Sequence, residues 1–243
     1  MRDFPVPLVL KRSARAKRLR LTVKSSGVEC VIPVALSEHR AWDFIEQHRD
    51  WLIRKFRGSI ARRAQSNFWE TVSDGQPAAL PVLGDELTLR VHAAGTTRPS
   101  LAVTGRVLQV FLPEAQRPEW ISLSEALVFA WVRPKLADRI SEYCLRHRHR
   151  AHLQPGSICV KRMRTRWGSC GSSNSMNMNW LLTFAPPSVL EYVVVHELCH
   201  IRHRDHSPRF WSLVAEHLPD FAEQRVWLKS HGAGLMSRYD VAR

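Results

Sequence analysis

The chain has 243 residues, 44% of them hydrophobic, with 36 Lys and Arg against 22 Asp and Glu and a formal charge of +14. That apolar share excludes wholesale disorder, and the length suits one or two domains with a real core. The longest unbroken apolar run, Ala126 to Val132, is far short of a membrane span, while the charge surplus favours polyanionic partners without bearing on the fold.

The N-terminus reaches basic residues after a short apolar stretch broken by Pro5 and Pro7, which does not read as a secretory signal. Residues 18–33 predict two short strands. Leu19, Leu21 and Val23 alternate with polar residues, and Val28, Cys30 and Ile32 follow the Gly27 turn at period two. Ser37 is placed to cap a helix from about Glu38 to Arg57, with Trp42, Ile45, Trp51 and Ile53 as apolar contacts. A polar connection is expected over 58–80. Leu83–Val91 reads as a strand behind Gly84, Leu101–Leu112 as a hairpin about Gly105, and Trp120–Arg146 as a helix. A basic stretch ends near Arg150. Beyond it, 157–164 alternates like an edge strand, 168–175 is a Gly/Ser turn and 176–184 a further strand. Ser188 is expected to cap a helix over about 189–202. Helices follow over 208–217 and 221–229, and the residues after 231 read as frayed.

A strand–strand–helix pattern recurs at an offset of 80: Leu21 matches Leu101, Val23 Val103, Pro33 Pro113, Trp51 Trp131 and Lys55 Lys135. A duplicated β-β-α unit and chance likeness between two hairpin–Pro–helix segments both account for it. The fold class expected is α+β. It divides into a basic ββα region over 1–80, a second strand/helix region over 81–150 and a C-terminal core over 151–243. Five scattered cysteines, Cys30, Cys144, Cys159, Cys170 and Cys199, form no Cys-x-x-Cys pair. This argues against a disulfide scaffold or a zinc ribbon and for a reducing cytoplasm.

The chemistry is concentrated in Tyr192-Val-Val-Val-His196-Glu197-Leu-Cys-His200. Spacing of four puts His196 and His200 one turn apart on one helix face, where two imidazoles can bind one zinc ion. Glu197 sits beside the first of them and can reach a metal-bound water. From composition, His-Glu-x-x-His arises somewhere in such a chain with a probability of about 3%, and adding a histidine six residues on reduces this to about 0.15%. His206 is that histidine. Catalytic zinc takes three protein ligands and one open position. Ser207-Pro208 reads as the cap and first residue of a new helix, so the chain turns before it and His206 can swing back. His203 is the rival third ligand. On a continuing helix it would lie about 10 Å along the axis from His196, which favours a neighbouring or exposed role. Cys199 points off the metal face and reads as core.

Arg166-Trp-Gly-Ser-Cys170, Asn179-Trp180-Leu-Leu, Pro186, the His-Glu-x-x-His segment and His206-Ser-x-x-Phe210-Trp211 together resemble the YgjP-like metallopeptidases, a family related to the SprT-like zincins. The likeness is strongest over 157–230. Upstream it takes in the Arg15–Arg20 stretch, Pro33 and Leu83-Gly84. It implies that His196, His200 and His206 hold one zinc ion and that Glu197 is the general base. It also implies a minimal zincin core, a small sheet packed on the metal-bearing helix. Asp205 stands where the family often has Asn, and an acid there can hydrogen-bond a ligand imidazole. The SprT branch often carries a cysteine zinc ribbon, which this chain lacks.

Peptide hydrolysis usually needs a second oxyanion stabiliser, for which Arg166, Asn179 and Tyr192 are candidates. Trp167 and Trp180 are candidates to line a cleft, and the edge strand near 157–164 to hold an extended peptide or protein substrate. The alternative function is a nucleic-acid-associated protein on the same fold. Lys11, Arg12, Arg15, Lys17, Arg18 and Arg20 cluster within ten positions. Residues 133–166 hold ten Lys or Arg and two acids, against five and six over 186–231. A closed structural zinc site is the third possibility, with Cys170 or His203 as fourth ligand.

Overall fold

The computed structural model describes residues 4–24, 27–64, 67–148 and 153–241, and the chain divides into two units, 1–66 and 67–243. In the first unit, β1 (Leu8–Ser13), β2 (Arg20–Lys24) and β3 (Gly27–Pro33) form a sheet of order β1-β3-β2. β1 runs parallel and β2 antiparallel to β3. Burial of Val28, Cys30 and Ile32 makes β3 the centre of this small core. β1 escapes a periodicity reading because it lies at the sheet edge: its alternation is shallow, and Val9 is 61% exposed. Gly27 has φ +143°, and a Cβ there would meet the Pro7 carbonyl oxygen at 2.6 Å. The single helix expected over 38–57 is two, α1 (Glu38–Gln47) and α2 (Arg49–Ala64), broken at His48. Ser37 caps α1 by accepting from the Arg40 N–H. Ala41, Ile45, Leu52 and Phe56 fill the core, whereas Trp51, expected inside, is exposed.

The second unit begins where a polar connection was expected. α3 (Phe68–Ser73) is nucleated by a capping box in which Asn67 Oδ1 accepts from Trp69 N–H at 2.9 Å and Glu70 accepts from Asn67 N–H at 3.3 Å. β4 (Ala78–Val82) follows, and the left-handed pair Leu83 and Gly84 turns the chain into β5 (Asp85–Ala94). With β6 (Ser100–Thr104) and β7 (Val107–Pro113) they form a sheet of order β4-β5-β7-β6. The pairing of the first unit reappears here. β5 is parallel and β6 antiparallel to β7, and Val103↔Leu108 stands 80 residues on from Val23↔Val28.

α4 (Trp120–His147) buries Val128, Val132, Leu136 and Ile140, one per turn, in the core of this unit. β8 (Ser157–Lys161), β9 (Gly168–Cys170) and β10 (Ser175–Asn179) make a third sheet of order β8-β10-β9. The expected Gly/Ser turn thus contains a strand. The strand expected to reach 184 stops at Asn179, and Trp180–Phe184 forms a buried 3-10 turn instead. α5 (Pro187–Cys199), α6 (Pro208–His217) and α7 (Phe221–Tyr239) complete the unit. α5 is preceded by Pro186 rather than capped by Ser188. The tail expected to fray is helical to Tyr239, whose buried ring stacks on Phe184 at 4.1 Å. Trp69, Leu89, Val132, Trp180, Val194 and Phe210 belong to one core; Arg150 lies outside the described residues.

One ion pair ties α4 to the segment after β8. Arg162 donates to both oxygens of buried Glu125, at 2.8 and 2.6 Å, and lies over the Phe129 ring. Glu125→Ala leaves a half-buried guanidinium unpaired. We expect a loss of about 2 kcal/mol in urea unfolding, less than a fully buried pair because Arg162 is 32% exposed. An unchanged midpoint would show that the pair adds no stability.

Candidate metal centre

α5 is apolar on nearly every side. Val193, Val194, Val195 and Leu198 are buried, which locks the helix in the core and fixes the direction of His196 and His200. The helix ends at His200, with His203 N–H bonded back to the Cys199 carbonyl. Pro208 opens α6, so the chain must reverse within 201–207. That reversal carries His206 back to the helix. His196, His200 and His206 bring ring nitrogens within 4.8 Å of one another. Among the described residues no other group of three or more His, Cys, Asp or Glu gathers in this way.

The donor set suits a metal ion. Burial, aided by the neighbouring imidazoles, drives the His196 pKa down to about 3 and lowers that of His200. Both rings are then neutral, the form that binds metal. His200 Nδ1 donates to the His203 carbonyl at 2.9 Å, which leaves Nε2 with its lone pair free. The Nε2 atoms of His196 and His206 stand 3.1 Å apart, a distance at which two lone pairs repel unless a proton or cation lies between them. His196 Nδ1 is buried without a hydrogen-bond partner, so this ring is oriented by packing between Tyr192 and Phe210. Phe210 lies within 5 Å of all three imidazoles, and Trp211 stacks on His206 at 5.7 Å.

Glu197 lies beside the cluster, 5% exposed, against Gly168 of β9. Burial pushes its carboxyl up to about 7, and the Arg166 charge opposes that rise. A Cβ on Gly168 would sit 2.6 Å from Glu197 Oε1, so this contact requires glycine. Arg204 ties the ligand loop to the β9–β10 turn by donating to the Gly171 carbonyl at 2.7 Å and to Asn174 Oδ1.

The other expected site residues divide. Tyr192 packs edge-on against His196 at 5.9 Å, and Arg166 is exposed with its charge within reach of Glu197. Trp167 turns its indole against Gly232 of α7, and Trp180 is buried core. Asn179 does not face the site. Its fully buried amide donates to the Met163 and Arg166 carbonyls at 2.8 and 2.9 Å and accepts from Leu181 N–H, so it builds the loop ahead of β9. His203 contributes a carbonyl rather than its ring, and Cys170 Sγ accepts from Arg204. The sequence offered no periodic signal for Gly168, Arg204 or the His203 carbonyl, because each acts by close approach or through main chain.

The sequence model of the YgjP-like, metallopeptidase domain matches residues 17–231. No curated protein matches the chain. Among solved structures, the metallopeptidase zymogen jannalysin of Methanocaldococcus jannaschii is 16% identical, with a TM-score of 0.34 over 39% of this chain and 94% of that one. No helix of the described residues is long and apolar enough to cross a membrane.

Proposed function

The chain belongs to the YgjP-like metallopeptidase family, and we propose that it hydrolyses peptide bonds with one zinc ion held by His196, His200 and His206. The observation that carries this reading is the convergence of three imidazoles, two of them held neutral, beside a buried carboxylate. Zinc supplies Lewis acidity there, making water a nucleophile near neutral pH and polarising the scissile carbonyl. Glu197 is the general base: it takes the proton of the attacking water and returns it to the leaving amine. Arg166, whose charge reaches Glu197, and Tyr192, packed against His196, carry donors that can serve the developing oxyanion. The sheet edge beside Glu197 is β9, whereas β8 lies at the opposite edge. An extended peptide or protein substrate therefore pairs with Gly168–Cys170 rather than with 157–164. All five cysteines are unpaired thiols, which supports work in a reducing cytoplasm. The shared strand order, and the register of the antiparallel pairs at the offset of 80, support a duplicated ββα unit, although the parallel pairs differ by one residue, Leu8↔Val28 against Leu89↔Leu108. Its test is a structural overlay of residues 8–33 on 88–113, in which unmatched backbones would reject common origin.

The test of the activity is cleavage of casein and of a peptide library by metal-loaded protein. Cleavage should vanish on chelation and return with zinc; cleavage indifferent to chelation would overturn the proposal. Gly168→Ala should lower kcat about tenfold to a hundredfold with metal content unchanged, since displacing a base by about 1 Å costs that much. Full activity in that variant would show that the Glu197 contact is not needed.

A second reading concerns the first unit. Arg15, Lys17, Arg18 and Arg20 line a cleft of about 520 Å³ whose lining includes no acid, which favours phosphate contacts with nucleic acid. Binding should weaken steeply with salt; no affinity for DNA or RNA at low salt would end this reading.

A further inference from the structure

α7 presents Phe221 and, four residues on, Arg225 on one face. Phe221 stacks against Trp211 at 5.6 Å and against Tyr192 at 6.4 Å. Trp211 stacks on His206 at 5.7 Å and lies 5.8 Å from His196. The Arg225 guanidinium rests on the outer face of this array, 4.3 Å from the Trp211 ring. A continuous run of rings thus carries a cation to the rim of the three-histidine cluster. Arg225 is exposed and makes no ion pair among the described residues. On another side of the cluster Arg166 is likewise exposed and unpaired, its carbonyl fixed by Asn179. The carboxylate nearest the ligand loop, Asp205, accepts from Ser207 N–H on the His200 side and does not neutralise either arginine.

Cations that serve only solubility extend into water or pair with acids. Arg225 instead has its guanidinium laid over Trp211, a ring that contacts two of the metal-binding histidines, so its orientation is favoured while its edge donors remain free. A planar guanidinium held this way binds a carboxylate in bidentate fashion. We propose that Arg225 is a specificity-determining residue that binds a substrate carboxylate next to the scissile bond, from an acidic side chain or from the peptide C-terminus. This rests on the peptidase reading for the reaction, but not for the binding.

The experiment uses the full chain carrying Glu197→Gln, loaded with zinc, and fluorescence anisotropy with short labelled peptides. One set has both ends blocked and a single Glu walked along a neutral sequence. A second has Gln in its place. A third has Gln and a free C-terminal carboxylate. A carboxylate peptide should bind about tenfold more tightly than its neutral counterpart, the size of one charge-assisted contact. The first and third sets distinguish side chain from terminus. Adding Arg225→Gln should bring the sets within about twofold of one another, while Arg225→Lys, which keeps the charge but loses the planar fork, should retain only part of the preference. In the active enzyme Arg225→Gln should raise KM for carboxylate substrates and leave kcat unchanged. Equal affinity for charged and neutral peptides, no binding of any, or a preference that survives Arg225→Gln would each overturn the proposal. A preference that follows Arg225 in a protein that cleaves nothing would sink the peptidase reading and leave the carboxylate site standing.

Discussion

Glu197→Gln should reduce peptide cleavage by about 10²- to 10⁴-fold while leaving the metal content of the protein unchanged. Gln has the shape of Glu, so the contact with Gly168 and the packing of α5 survive. What disappears is the proton acceptor, and general base catalysis is worth about 10² to 10⁴ in rate. The variant also has a signature in the metal-free state. Burial raises the Glu197 carboxyl from 4.5 to about 7. A carboxyl raised on folding favours the native state fully below its unfolded pKa, and that contribution is lost as pH rises through the folded one. Metal-free wild type should therefore lose stability between about pH 4.5 and pH 7 from this group, and Glu197→Gln should not. At pH 8 the apo variant should unfold at a higher temperature than the apo wild type. Retained cleavage would remove Glu197 from the chemistry, and parallel pH profiles would mean that its burial is relieved before folding is complete.

His206→Ala should weaken metal binding by more than about a hundredfold, beyond the 10- to 100-fold expected when a partner outside the coordination shell is lost. His206 is exposed and lies in a loop held independently by Arg204, so its removal leaves the fold intact. Ligand binding to the native state adds stability in proportion to the logarithm of ligand over Kd, about 2.7 kcal/mol at a hundredfold excess. Zinc at micromolar concentration should thus raise the melting temperature of wild type and leave that of His206→Ala unmoved. An equal rise in both would mean that two imidazoles suffice and that His206 is a neighbour only. His203→Ala is the control: only its carbonyl meets the cluster, so zinc should stabilise it as it does wild type.

The site was legible because its chemistry is written in short spacings. A spacing of four from His196 to His200 is about one helical turn, and Ser207-Pro208 marks where the next helix must begin. Those two local facts bring three imidazoles together without any knowledge of the sheets. The parts that stayed hidden depend on distant segments. Gly168 matters because Glu197 lies against it across 29 positions, and nothing periodic marks it. Asn179 looked like a free polar group at a strand end, yet its amide is spent on the backbone of 163–166. β9 is three residues long and lies in a Gly/Ser run whose composition argues for a turn. β1 and β4 are edge strands, where one face and one margin meet solvent and alternation fades. The helix at 221–239 outran its apolar pattern because its later residues are held by Tyr239 and by the close fit of Gly232 on Trp167, contacts between distant segments.

The central claim is an open, three-histidine zinc site. X-ray absorption at the zinc edge of the loaded full chain tests it most directly. The account predicts one zinc per chain with three imidazole nitrogens and one non-protein oxygen at about 2.0–2.1 Å and no sulfur. A sulfur scatterer at about 2.3 Å, bringing in Cys170, or a fourth imidazole from His203 would make the site closed and structural and contradict it.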